Sequence, residues 1–230
     1  VYTPPHFRED RHDILMGIIV NARLATLVTL DDLGGFEANH FPILLDRASG
    51  SNGTIIGHCA KGNPLATHSG RNAIAIFAGP EAYVSPSWYP TKAETGKVVP
   101  TWNYVAVHVH GILEIFEDSQ RLVPLLDQLT DRHESKRQAP WSMSDAPDDF
   151  IQAQLKRIVG FSLTIDRIEG KSKISQNRTA SEQAGVIDGL HQDGEEHEHD
   201  LADFMAQSGQ LSIPTINWTE IACLGCFYQP

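Results

Sequence analysis

The stretch Val98–Gly111 reads VVPTWNYVAVHVHG, and its alternation decides the fold. In a strand, successive side chains point to opposite faces. One face then carries Val105, Val107 and Val109, a plain core face. The other carries Trp102, Tyr104, Ala106, His108 and His110. Amphipathic rings interleaved with imidazoles suit a ligand wall or a subunit interface, because each polar tip needs a partner. The plainer alternative is a half-exposed face whose aromatics pack across strands.

Working outward, Pro100-Thr101 adds a rigid lead-in and a hydroxyl, and Ser85-Pro86-Ser87-Trp88-Tyr89 adds two more hydroxyls and two more rings. Hydroxyls suit a phosphate, and flat rings suit a planar heterocycle. Gly57-His58-Cys59-Ala60-Lys61-Gly62-Asn63-Pro64 is the best anion candidate. Lys61 brings charge, Gly62 permits close backbone approach, and a helix starting at Asn63-Pro64 would aim free N–H groups outward.

The rest of the chain reads as strand, turn and strand. Leu24–Leu30, Glu37–Leu45 and Thr54–Ala60 are expected strands, as are Ala73–Ala78 and Ala82–Ser85, broken by Gly79-Pro80. Pro86–Pro100 is expected as a loop, Trp102–Phe116 as a long strand, and Ile158–Ile168 as the last clear strand. Helical spacing marks Asp10–Asn21, Ser119–His133, Asp148–Leu155, Ser181–Leu190 and Asp200–Ala206, with Asp193–Asp200 as a charged linker. Strands with interleaved short helices, in no regular βαβ order, give a mainly β, α+β chain: an antiparallel barrel with peripheral helices.

Composition narrows the function. The formal charge is −11, with 18 Lys and Arg against 29 Asp and Glu, which counts against direct duplex binding. The one basic cluster, Lys171–Lys173 with Arg178, is too small for a long DNA footprint. No apolar run approaches the roughly 20 residues of a membrane span. The acidic residues before Ile14–Val20 do not fit a secretion signal, so the chain is expected to be cytoplasmic. Cys59, Cys223 and Cys226 make no disulfide framework. Cys223 and Cys226 have metal-ligand spacing without a second pair, so no metal is expected. No nucleophile elbow, dinucleotide fingerprint or Walker loop occurs, and no catalytic acid, base or nucleophile stands out.

At this point the residues resemble a known family. Tyr2-x-Pro4 with Phe7, Asn39-His40-Phe41-Pro42, Gly57-His58-x-Ala60-x-Gly62-Asn63-Pro64, Gly79-Pro80-x-Ala82 through Tyr89, Val99 through Tyr104, Val159-Gly160-Phe161 and Lys173 through Arg178 run in order. They resemble the PaiB-type FMN-binding proteins, described as negative transcriptional regulators, in the split-barrel superfamily of the pyridoxamine-phosphate oxidases. The resemblance implies a six-stranded antiparallel split barrel, FMN as cofactor and a homodimer. It carries flavin contact to His58, Lys61, Asn63, Ser85, Trp88, Tyr89, Thr101, Trp102 and Asn103, with Ser175, Gln176 and Arg178 as candidates reaching a neighbouring subunit.

The expected domains are residues 1–180 as the barrel, 181–207 as a helical extension and 208–230 as a tail outside the resemblance. A flavin-dependent redox or sensing protein with an indirect regulatory role is the expected function, an FMN-dependent oxidoreductase if it is an enzyme. The alternatives are a pyridoxamine-phosphate-oxidase-like oxidoreductase and a haem-binding or haem-degrading relative, in which His58, His108 or His110 would serve iron.

Overall fold

The computed structural model describes residues 1–210, so Cys223 and Cys226 lie outside the described residues. The chain forms two compact units. Unit one takes Val1–Asn21, Ala78–Val107 and, among the described residues, 169–210; unit two takes Ala22–Phe77 and His108–Ile168.

Unit two holds most of the sheet. Its strands are β2 (Ala25–Leu30), β3 (Phe36–Phe41), β4 (Leu44–Asp46) and β5 (Thr54–Ala60), with parts of β6 (Asn72–Val84), β7 (Thr101–Phe116) and β8 (Ile158–Lys173). The hydrogen-bonded order is β3-β2-β6-β7-β8-β5-β4. The β2–β3, β2–β6, β4–β5 and β5–β8 ladders are antiparallel, with Thr26 opposite His40 and His58 opposite Gly160. A two-residue β1 (Arg8–Glu9) pairs with β8 in unit one. The six strands expected are therefore exceeded: among the described residues seven lie on the main path, with β1 added.

Helix α3 (Ser119–Glu134) covers part of unit two. Leu122, Leu125 and Leu129 recur at helical spacing and bury against Phe116 and Leu155, the latter from α4 (Asp148–Leu155). Asp118 caps α3 by accepting from the Gln120 N–H. Ile56 of β5 packs against the same cluster. Unit one carries α1 (His12–Asn21), α2 (Pro90–Thr95), α5 (Ala180–Asp193) and α6 (His199–Gln210). Thr179 and Glu182 form a reciprocal capping box at the start of α5. Among the described residues, no helix is long and apolar enough to cross a membrane.

The β7 alternation is as expected. Val105, Val107 and Val109 are buried, while Tyr104, Ala106, His108 and His110 are partly exposed and Trp102 is exposed. Other boundaries need correction. The expected strand Glu37–Leu45 is two strands, because Pro42 offers no N–H to the ladder. The expected break at Gly79-Pro80 is absent, and β6 runs through it. Gly79 leaves room there: a Cβ would stand 3.0 Å from Val105 Cβ, tighter than an ordinary contact. The Pro86–Pro100 loop contains a 3-10 turn, Pro86–Trp88, and α2, which stops at Gly96 in the left-handed region.

The helix expected from Asn63-Pro64 is one 3-10 turn, Pro64–Thr67, although Asn63 does cap it. The charged linker 193–200 includes a 3-10 turn, Glu196–Glu198. Helix α6 extends beyond 207 to Gln210, and the last strand extends to Lys173.

Candidate functional site

In unit one, β7 and the end of β8 bring several expected residues together. Lys173 Nζ donates to Thr101 Oγ1 at 2.5 Å and to the Trp102 carbonyl. Two residues earlier on the same strand face, Lys171 Nζ stands 4.9 Å from the centroid of the Tyr104 ring and 5.9 Å from that of Tyr2. Burial, and then the neighbouring Lys171, hold the Lys173 ammonium below its ordinary range. Neither lysine meets a carboxylate among the described residues. Trp102 is 48% exposed, donates to Glu81 Oε2 at 3.0 Å, and meets Tyr83 edge to face at 6.3 Å.

Asn103 lies on the opposite, buried face of β7, at 1% exposure. Its amide donates to Ser175 Oγ at 2.9 Å. Ser175 has φ +64, a left-handed backbone. Gln176 closes the same turn, accepting from the Ile174 N–H at 2.8 Å and donating to the Ser172 carbonyl. Ser175 and Gln176 therefore spend polar groups on holding the end of β8.

The 86–89 segment is gripped by α5. A Cβ at Gly189 would run into the Trp88 ring, and one at Gly185 into the Trp88 carbonyl. Trp88 Nε1 donates to Asp193 at 3.0 Å. Ser85 Oγ accepts from the Ser87 N–H at 3.2 Å. Tyr89 is buried, and its hydroxyl has no hydrogen-bond partner among the described residues. The Arg178 guanidinium lies 5.0 Å from the Tyr89 ring centroid and 3.8 Å from Glu182.

The remaining expected residues belong to unit two. Lys61 Nζ is spent on Glu117 at 2.5 Å. Asn63 accepts from the Leu65 N–H at 2.9 Å and donates to Asn39 at 2.8 Å. Asn39 in turn donates to Glu37 at 2.8 Å. His58 shares a strand face with Ile56, toward Leu126 and Leu129 of α3. Burial lowers its imidazole's affinity for a proton, and its Nδ1 has no partner among the described residues. Its neighbour Cys59 faces the other way, its thiol pushed up to about 11 by burial and then by Glu37.

Sequence reasoning placed the anion site at Lys61, whose charge is already answered. It passed over Lys171 and Lys173 as too small a cluster for DNA. The available signal was the i, i+2 spacing, which puts both lysines on one strand face. Two ammonium groups without a carboxylate, a hydroxyl beside one of them and exposed rings nearby fit a phosphate-bearing planar aromatic molecule. No cluster of three or more acidic, His or Cys side chains among the described residues fits a metal ion.

Comparison with known proteins gives the family. A family model described as "Putative FMN-binding domain" matches residues 1–167. Uncharacterized protein AN0679 of Emericella nidulans is 32% identical over 229 residues, covering 85% of this chain and 89% of its own. Protease synthase and sporulation protein PAI 2 of Bacillus subtilis is 28% identical over 207 residues, covering 89% of this chain and 96% of its own. Among solved structures, the FAD and haem binding protein of Mycobacterium smegmatis matches with a TM-score of 0.52 at 20% identity, over 76% of this chain and 75% of that one. That likeness identifies the fold as a mainly β split barrel with helices.

Proposed function

Since this chain belongs to the FMN-binding domain family that its residues 1–167 match, we propose that it is a flavin-dependent redox or sensing protein that holds FMN on the lysine face of β8. The observation that carries this reading is the pair Lys171 and Lys173. In a chain of net charge −11, these two ammonium groups share one strand face and meet no carboxylate among the described residues. A phosphate supplies the missing counter-charge. Trp102 and Tyr104 offer ring surface to the flavin.

Asn103, Ser175 and Gln176 position this group by fixing the turn after β8. Ser85, Trp88, Tyr89 and Arg178, all of unit one, are the further contacts proposed. Bound FMN supplies redox chemistry, while the protein neutralises its phosphate, orients its ring and limits water.

We also infer a cytoplasmic homodimer whose regulatory effect is exerted without direct DNA contact. The acidic balance, 18 Lys and Arg against 29 Asp and Glu, supports the absence of direct DNA contact, since duplex binding needs many phosphate-neutralising cations.

The test is the absorbance spectrum of the protein as purified, followed by mass identification of the released ligand. FMN is the expected result. A colourless protein that leaves FMN fluorescence unquenched on titration overturns the reading. A salt-dependent mobility shift with an upstream DNA fragment overturns the indirect route.

A further inference from the structure

We propose a ligand site in unit two, a cleft of about 330 Å³ beside the C-terminal half of α3, that takes an uncharged aromatic molecule bearing a carbonyl or hydroxyl oxygen. It does not rest on the flavin reading. Leu126 and Leu129 line the cleft from α3, and His58 lines it from β5. Pro42, from the break between β3 and β4, and Trp141, from the chain after α3, complete its apolar lining.

The chain after α3 folds back to bring Trp141 there. Glu134 Oε2 accepts the Trp141 backbone N–H at 3.1 Å, and Glu134 Oε1 pairs with Arg137 Nε at 3.0 Å. Trp141 nonetheless keeps 44% of its surface exposed. A large ring tied at an apolar cleft and left partly uncovered offers a face on which another flat ring can stack.

His58 supplies the polar contact. Its Nδ1 is shut away from solvent without a partner, so the ring meets the cleft by its other edge, which carries Nε2. Burial is the one cause that lowers its proton affinity, and no neighbouring charge enters. The ring is therefore a neutral imidazole with one N–H and one bare nitrogen. A proton on Nδ1 would be a buried donor with no acceptor, whereas a proton on Nε2 can be given to a ligand oxygen.

The charge of the lining selects against ions. No Lys or Arg lines the cleft to meet an anion. Its one carboxylate, Glu134, has both oxygens engaged, which leaves a cation no free partner. An uncharged molecule buries its ring against the two leucines, Pro42 and the indole without stranding a charge. The volume lies at the lower end of small-molecule sites, enough for a ring with one substituent.

The test is an NMR titration of the full chain, FMN-free and FMN-saturated, at pH 8, above the ordinary histidine range. The probes are acetophenone, benzoate and α-methylstyrene, three molecules of one shape. Acetophenone is expected to shift the Trp141 indole signal and amides of residues 126–134, with the same affinity in both forms. Benzoate, which is charged, and α-methylstyrene, which lacks the oxygen, are each expected to bind about fivefold more weakly or worse. Trp141→Ala is expected to weaken acetophenone about tenfold. His58→Phe is expected to bring it down to the level of α-methylstyrene.

No shift with acetophenone overturns the proposal, as does benzoate or α-methylstyrene binding as tightly. Competition with FMN would make this part of the flavin's own site and also overturns it. So does an affinity unmoved by Trp141→Ala, a substitution at an exposed ring that leaves the core intact. The FMN-free titration decides the proposal even where the chain takes up no flavin.

Discussion

Asn103 and Ser175, 72 residues apart in the chain, share a buried hydrogen bond of 2.9 Å from the Asn103 amide to the Ser175 hydroxyl. Ser175 is the one non-glycine residue at positive φ among the described residues. Ser175→Ala removes the acceptor and keeps the strained backbone, whereas Ser175→Gly removes the acceptor and relieves it. A lost buried hydrogen bond costs about 1–3 kcal/mol, and a left-handed non-glycine residue costs roughly 1–2 kcal/mol. The expected order of urea midpoints is wild type, then Gly, then Ala. An Ala variant at least as stable as the Gly variant would show that the backbone term is negligible there.

Gly189 lies under the Trp88 indole. Glycine to alanine inside a helix ordinarily gains about 1 kcal/mol. Here the added methyl meets the ring, and overpacking of this kind costs about 1–3 kcal/mol. Gly189→Ala is therefore expected to destabilise the protein in the wild-type background and to be neutral or stabilising beside Trp88→Leu. Chemical denaturation of the four proteins in that double-mutant cycle measures the coupling.

Glu114 receives Arg121 at 2.7 Å and the Ser162 hydroxyl at 2.6 Å. Those hydrogen bonds, Arg121 first, lower its carboxyl from 4.5 to about 2. The unfolded chain binds this proton more readily, so the stabilisation is complete above about pH 4.5 and is lost as pH falls toward 2. Glu114 and Arg121 are both well exposed, so solvent screening holds the effect to about 1 kcal/mol or less. Glu114→Gln should flatten the acid limb of the urea midpoint against pH. An unchanged limb would place the acid sensitivity in other carboxylates.

Cys59 is 4% exposed with its thiol near 11. At pH 8 only about one thiol in a thousand is then the reactive thiolate. In a Cys223→Ser/Cys226→Ser background, iodoacetamide should leave the folded protein unlabelled and label it promptly in urea. Rapid labelling of the folded protein at pH 8 would contradict the burial of this side chain.

Lys171 and Lys173 lack carboxylate partners, whereas Lys61 has Glu117. Lys171→Met and Lys173→Met should each weaken FMN binding about tenfold, one charge-assisted contact apiece. Lys61→Met should change it by less, because its charge is already answered. Fluorescence quenching at several salt concentrations reads both effects, and the lysine pair should account for most of the salt dependence. A larger loss at Lys61 would move the phosphate to unit two.

Much of this architecture was legible in the chain. The β7 alternation, the leucine spacing of α3 and the Asn63 cap each depend on near neighbours, and each is present as read. Pro42 and Gly79-Pro80 misled in opposite directions. A missing N–H split one strand, while the same Pro chemistry was absorbed within β6, where Gly79 lets Val105 approach. Whether a proline breaks a strand depends on what its neighbours in the sheet require.

The candidate site was harder to read. Trp88, Asn103, Ser175 and Gln176 stand in the motifs that carry the family resemblance, yet each is engaged by partners inside unit one. Lys61 looked like the natural phosphate ligand until Glu117, 56 residues away, was found to hold it.

The sequence by itself determined the strand with two unlike faces, the helical cover, the acidic balance and the family. Those follow from residue periodicity, from summed charge and from ordered motifs, none of which needs the chain to be closed. Only the tertiary structure decided which cations remain without a counter-charge and which hydroxyls remain without a partner. Both depend on groups brought within about 3 Å from distant parts of the chain, a proximity that local spacing does not encode.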